Sequence, residues 1–263
     1  MSANRRSSLD RRRVLRSSFA TLSAALLAGC EPLSDQPWVK SVLGIAESFN
    51  IKTQRVLLSR DRLAPEFSEA DISDQFRANG STDPQDKDYL ALAKSRFANW
   101  HLIVDGLVEQ PQRLSLRELR AMPSRTQITR HDCVEGWSCI GKWTGVRLQD
   151  VLDRAGLKPD ARYVVLHCFD TMDGNDSENA PRYYESIDLV DAVHPQTILA
   201  YEMNDRELPI PHGAPLRLRV ERHLGYKMAK YLRRIEAVDS FANIGGGNGS
   251  YWADRDYEWY AGI

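Results

Sequence analysis

His131-Asp132-Cys133-Val134-Glu135-Gly136-Trp137-Ser138, followed by Trp143-Thr144-Gly145-Val146, is the stretch on which the reading turns. It sets one cysteine on a loop behind a strand, among acids and large aromatics. A thiolate in that setting suits a nucleophile or a ligand for a soft metal. A structural cysteine or a disulfide is the plainer alternative. Zinc is disfavoured, because five residues separate Cys133 from Cys139 and no Cys-x-x-Cys or His-Glu-x-x-His partner motif occurs. Beyond Cys30 the chain has three cysteines, Cys133, Cys139 and Cys168. An odd number leaves at least one unpaired within the chain, or used as a ligand.

Downstream lies a second informative stretch, Asn204–Lys230. It contains Pro211-His212-Gly213-Ala214-Pro215-Leu216-Arg217 and then Gly225-Tyr226-Lys227-Met228-Ala229-Lys230. Backbone N–H groups at a glycine-permitted turn, with guanidinium and ammonium groups around them, suit a phosphate. The same residues also read as a solvated basic edge, since Arg217, Arg219, Arg222, Lys227, Lys230, Arg233 and Arg234 crowd one region.

Around these stretches the elements are short. Trp100–Val108 alternates and is β-rich, so it reads as a strand. Ser115–Met122 begins as a capped helix, with Glu118 three residues after Ser115. Leu148–Ala155 is an amphipathic helix closed by Gly156. Strands are expected at 126–132, 163–168, 197–202, 216–220 and 229–238, with short helices at 88–94 and 187–192. Many short strands with few helices indicate an α+β domain rich in mixed sheet. Residues 30–95 read as a tether and an irregular wrapping segment, and 96–263 as the domain proper. The aromatic tail with Tyr251, Trp252, Tyr257, Trp259 and Tyr260 is expected to pack back on that domain.

The N-terminus has a different character. Residues 1–29 hold six arginines and one acid, then a short apolar stretch from Phe19 to Leu27. These are the parts of an export signal. Asp10-Arg11-Arg12-Arg13-Val14-Leu15-Arg16 resembles a twin-arginine export motif, and Leu27-Ala28-Gly29-Cys30 resembles a bacterial lipobox with Cys30 as the lipidated residue. The expected location is periplasmic, with the membrane reached only through the lipid. No run of eighteen apolar residues offers a spanning helix. The whole chain of 263 residues has a formal charge of −1. Setting aside residues 1–29 leaves 29 bases against 35 acids, a body of charge −6. That balance argues against nucleic acid as a partner.

Taken together, in this order and about eighty residues apart, the two stretches resemble the sulfite oxidase family of molybdopterin enzymes. The closer branch is the bacterial, twin-arginine-exported one that includes the methionine sulfoxide reductase catalytic subunits. The resemblance runs from about Trp100 to Ile235. It implies a single catalytic domain, α+β with a mixed-sheet molybdopterin-binding fold. With about twenty-five residues after Val238, the C-terminal dimerisation domain of the eukaryotic enzymes is not expected.

By the same resemblance, Cys133 ligates molybdenum and Glu135 is an acid beside the metal and a candidate proton donor. His212, Arg217 and Lys230 hold the cofactor and its phosphate, and Gly225, Tyr226 and Lys227 line the pterin. Cys168 takes the place of a small polar residue near the cofactor, and Asn79 corresponds to a pterin-contacting asparagine. Lys142 is a candidate cation for an anionic substrate. The implied chemistry is two-electron oxygen-atom transfer on sulfite, methionine sulfoxide or another S- or N-oxide, small or protein-bound. Electrons would be exchanged with a separate redox protein such as a cytochrome, because no haem, Fe–S or nicotinamide motif is visible. A second reading is a non-catalytic lipoprotein that keeps the fold only to bind a ligand or partner.

Overall fold

The computed structural model describes residues 62–172 and 180–263, together with Gln36, Trp38, Phe49, Ile51, Thr53 and Arg55. The export and lipidation motifs, Asp10–Arg16 and Leu27–Cys30, lie outside the described residues. The chain divides into two compact units, Met1–Thr53 and Gln54–Ile263. In the first, the described residues Trp38 and Phe49 are helical and exposed.

Two five-stranded sheets build the second unit. One runs in the order β2-β1-β10-β5-β6, from Gln112–Ser115 (β2), His101–Gly106 (β1), Leu232–Val238 (β10), Tyr163–Thr171 (β5) and Arg182–Asp188 (β6). In the other, Ser124–Asp132 (β3), Ser138–Arg147 (β4), Ile198–Met203 (β7) and Arg206–Glu207 (β8) follow in order, and Arg217–Arg219 (β9) pairs with β7. β1 and β10 are parallel, and every other named pair is antiparallel. This is the mixed, sheet-rich α+β architecture of the sulfite oxidase molybdopterin-binding fold.

Among the described residues from 62 onward the α-helices are Lys87–Lys94 (α1), Leu116–Ala121 (α2), Leu148–Ala155 (α3) and Leu189–Ala192 (α4). α2 starts on the expected capping box, with Glu118 N donating to Ser115 Oγ at 3.2 Å and Ser115 N donating to Glu118 Oε2 at 2.8 Å. α3 buries Leu148, Val151, Leu152 and Ala155 on one face and ends at Gly156, whose φ of 69° suits glycine. The expected helix over 187–192 is shorter. Ile187 and Asp188 finish β6, and Asp188 caps α4 by accepting from Asp191 N at 2.9 Å.

One core lies against both sheets, with Trp100, Leu102, Val104, Leu152, Leu166, Leu218 and Ile235 fully buried. Trp143, Ile198, Ala200, Met203 and Leu208 form a smaller cluster under Phe76. The wrapping segment is tied into this body: Phe67 N donates to Ile128 O, Ser73 N to Ile140 O, and Tyr89 Oη to Ala214 O. The tail also packs back, with Tyr251 2% exposed and its amide donating to Tyr184 O.

Candidate cofactor cleft

The β3–β4 hairpin presents Cys133. Its ladder is in register to Asp132↔Ser138, and the chain then turns through Cys133–Trp137. Cys133 N donates to Trp137 O at 2.9 Å and Gly136 N to Cys133 O at 3.0 Å, with Gly136 at a φ of 85°. Cys133 is 8% exposed, and its Sγ lies 3.7 Å from Asn79 Nδ2 on the wrapping segment. The thiol therefore stands at the wall of a cleft of about 270 Å³, within reach of an amide donor but free of a disulfide.

Two cations line the same cleft. Arg217 on β9 is 3% exposed, and its guanidinium lies 4.9 Å from the centre of the Trp143 ring. Arg217 donates to His212 O at 2.9 Å and Met228 O at 3.4 Å, and its Nε has no partner. Lys230 Nζ is held only by carbonyls: Asn79 O at 2.7 Å, Pro211 O at 3.2 Å, and Ser81 O. Neither cation has a carboxylate within ion-pair distance among the described residues, whereas neighbouring Arg219 is matched by Glu221 at 2.6 Å. Burial, reinforced by Arg219, lowers Arg217 to about 9. Burial and Arg217 lower Lys230 to about 7. Two desolvated cations without a counter-anion are costly, and they fit an anion supplied from outside the chain.

Asp170, near the end of β5, also lines the cleft. Burial pushes it up to about 7 against the pull of Lys230, and its Oδ1 has no partner. Gly225 and Tyr226 line the cleft from a single 3-10 turn. A Cβ at Gly225 would stand 2.3 Å from His131 Nε2, so only glycine lets the turn close on that buried ring. The mouth carries Val134, Glu135, Trp252 and Tyr257. Glu135 is exposed; it accepts from Trp137 Nε1 at 2.9 Å and lies 3.8 Å from Arg77.

The structure thus brings together Cys133, Glu135, Asn79, Arg217, Gly225, Tyr226 and Lys230. It does not bring Cys168, His212 or the Lys227 side chain to the cleft wall. Cys168 is 1% exposed and lines a neighbouring cavity beside His167 and Arg233. Burial, then Asp170, pushes its thiol well above the usual range. His212 is half-buried edge-on to Phe76 at 5.6 Å, and burial with Arg217 and Lys230 lowers it to about 4. Lys227 turns inward, and its ammonium meets the Glu185 carboxylate. The basic stretch is not a solvated edge either, because Arg217, Arg219 and Lys227 are buried. Lys142 is held by Glu69 at 2.6 Å and Asp205 at 2.9 Å, away from the cleft. Sequence reasoning missed Asp170, although an acid two residues beyond Cys168 on a buried strand shares its face. It also took Trp252 and Tyr257 for packing alone.

A cysteine thiol, two cations without a carboxylate at ion-pair distance among the described residues, and a buried carboxyl, all lining one cleft, match a metal-bearing pterin phosphate. The residues present fit that group: Cys133 could hold the metal, and Arg217 with Lys230 its phosphate.

Comparison with known proteins agrees. The family model described as the oxidoreductase molybdopterin binding domain matches residues 89–243. A putative protein-methionine-sulfoxide reductase subunit YedZ1 from Azospira oryzae is 36% identical over 255 residues, 96% of this chain and 87% of the relative. The protein-methionine-sulfoxide reductase catalytic subunit MsrP from Xanthomonas campestris pv. campestris is 33% identical, over 88% of this chain and 70% of the relative. The sulfane dehydrogenase SoxCD from Paracoccus pantotrophus superposes with a TM-score of 0.47, at 22% identity over 54% of this chain and 39% of that one. The chain belongs to the molybdopterin-binding oxidoreductases of the sulfite oxidase fold, and it is an enzyme whose cofactor is molybdenum-molybdopterin.

Proposed function

We propose that this enzyme reduces sulfoxides, with methionine sulfoxide, free or in a protein, as the substrate class. In this reaction the S–O bond breaks, the sulfur is reduced to a thioether by two electrons, and the oxygen leaves as water with two protons. The observation that carries the reading is the charge layout of the cleft. Among the described residues the cleft is lined by two cations, the buried Arg217 and the half-buried Lys230, in the wall where the cofactor phosphate belongs. The mouth is formed by Val134, Trp252, Tyr257 and the acid Glu135. A neutral sulfoxide on an apolar side chain meets no penalty there, whereas dianionic sulfite meets the exposed Glu135 carboxylate, which Arg77 at 3.8 Å offsets only loosely. The names of the two relatives point the same way.

The bound cofactor supplies the oxygen-atom transfer chemistry. Cys133 holds the metal, and Asn79 donates a hydrogen bond to its sulfur. Arg217 and Lys230 hold the phosphate, and the Gly225–Tyr226 backbone walls the pterin. Glu135, at the mouth, is placed to pass protons from solvent to the departing oxygen. Both relatives are named as subunits, which supports delivery of electrons by a separate redox protein, such as a cytochrome. We place the enzyme in the periplasm, exported through Arg11–Arg16 and tethered by lipid on Cys30.

Loaded enzyme is assayed with a reduced viologen dye on methionine sulfoxide, and with an acceptor dye on sulfite. Sulfoxide should be favoured in kcat/KM by about tenfold, the scale of repulsion from an exposed and loosely paired carboxylate. A preference for sulfite would refute the proposal.

A further inference from the structure

The two lysines of Gly225-Tyr226-Lys227-Met228-Ala229-Lys230 do opposite things. Lys230 faces the cleft; Lys227 points away from it and is 1% exposed. Its Nζ pairs with Glu185 and donates to Ser186 O at 2.9 Å. Glu185 is itself fully buried on β6, and its second oxygen, Oε2, has no partner. A buried ion pair with an idle oxygen stabilises a fold less than apolar residues of the same size would. Its retention calls for a reason other than stability.

Two walls of the cleft converge on this pair. The first is the turn that carries Gly225 and Tyr226. Lys227 is the last residue of that turn, and Tyr183, two residues before Glu185 on the same strand, donates its hydroxyl to Tyr226 O. The second is the tail that carries Trp252 and Tyr257. Trp259 lays its ring 5.1 Å from Lys227 Nζ and donates from Nε1 to Ser186 Oγ at 2.8 Å. Ser186 Oγ in turn donates to Gly249 O. Tyr226 Oη closes the circuit by donating to Glu258 O at 2.7 Å. β6 therefore ties turn and tail together through Tyr183, Glu185 and Ser186, of which Tyr183 alone lines the cleft.

We infer that Glu185 and Lys227, with Ser186 and Trp259, are positioning residues that set the spacing of the two cofactor-facing walls. The inference rests on the cleft being the molybdopterin site. The pair acts through Gly225, Tyr226 and Tyr257, not by contact with the cofactor.

Three variants separate positioning from ordinary stability. Each is expressed with cofactor, and its melting temperature, molybdenum and pterin per chain and rate of cofactor release are measured. Lys227→Met leaves the Glu185 carboxylate buried and alone, so both melting temperature and cofactor content should fall. Glu185→Leu combined with Lys227→Met removes both charges; its melting temperature should return towards that of the parent. Its molybdenum and pterin content should stay about tenfold low, in the range found when the outer support of a metal site is removed. Trp259→Phe removes the donor to Ser186 while keeping an aromatic ring at the site; it should melt within a few degrees of the parent but release cofactor several-fold faster. Parent-level molybdenum in the double variant, or parent-level retention in Trp259→Phe, would overturn the assignment. The Trp259 variant alone decides the matter if the double variant does not fold.

Discussion

Arg217→Met is expected to stabilise the empty protein while abolishing its capacity to hold the cofactor. The reason lies in the state of the guanidinium. It is buried, it has no carboxylate partner, and one of its nitrogens is unbonded. Burial and the nearby Arg219 lower it from 12.5 to about 9. Each tenfold change in proton affinity is about 1.4 kcal/mol, so the charge costs the empty protein at most about 4–5 kcal/mol. Replacement by methionine removes the guanidinium from above Trp143, a cation–π contact worth about 1 kcal/mol, and leaves His212 O and Met228 O without their donor. At about 1 kcal/mol for each lost bond, the net gain is about 1–2 kcal/mol. For a domain of this size that is about 2–8 °C in melting temperature. The assay is differential scanning fluorimetry on both proteins, made in a host that lacks the cofactor, with and without sulfate. Sulfate should raise the melting temperature of the parent through binding, and that of Arg217→Met much less. In a cofactor-competent host the variant should carry about ten- to a hundred-fold less molybdenum, the worth of a charged phosphate contact. An empty variant that melts below the empty parent refutes the reasoning, because Arg217 would then be a structural residue and not a held-open anion site.

Three other outcomes follow from the same structure. Sulfate affinity of the empty protein should rise as pH falls through about 7, where Lys230 gains its proton, and Lys230→Met should flatten that dependence in a calorimetric titration. Cys133→Ser should lose molybdenum and the Mo(V) resonance yet melt within a few degrees of the empty parent, since a near-isosteric change at a wall position opens no cavity. Asp191→Ala should cost about 3–5 kcal/mol in denaturant unfolding, because Arg55, Arg222 and His223 all lose a buried counter-charge at 2.7–2.9 Å. Burial alone would raise the Asp191 carboxyl, but His223 and Arg55 hold it well below the usual carboxylate range. The advantage of the parent should accordingly be full above about pH 4, where the unfolded carboxyl is ionised, and shrink as pH falls further.

Local rules carried the elements whose signals are local. The Ser115–Glu118 box and the Gly156 stop are each decided within four residues, and both stand where the rules put them. Strand β4 was hidden for a physical reason. Gly141 and Gly145 depress its β-propensity, yet both are demanded by close approach: a Cβ on Gly145 would lie 2.1 Å from Leu199 O, at the irregularity where β4 changes register against β7. β6 was hidden because its buried run contains Glu185 and Ser186, polar residues that resemble a helix start until their partners are known. Cys133 was legible because the hairpin that presents it is contiguous in sequence. Asp170 was not, because what makes it unusual is its burial in a cleft wall assembled from other segments.

The lysine pair shows where such legibility ends. Gly-x-Lys-x-x-Lys around a turn reads as two cations for one phosphate, and for Lys230 the geometry agrees. A lysine stem has four carbons and little directional preference, so the pattern constrains the backbone and leaves the ammonium free. What turns Lys227 inward is an acid 42 residues away in sequence, on a strand that no local signal revealed. Arg217 and Arg219 part in the same manner on β9. The guanidinium with Glu221 in reach is neutralised, and the other, two residues earlier on the same strand, is left for the cofactor. In this protein the acids therefore select the binding cations, by removing from the basic cluster every member they can reach.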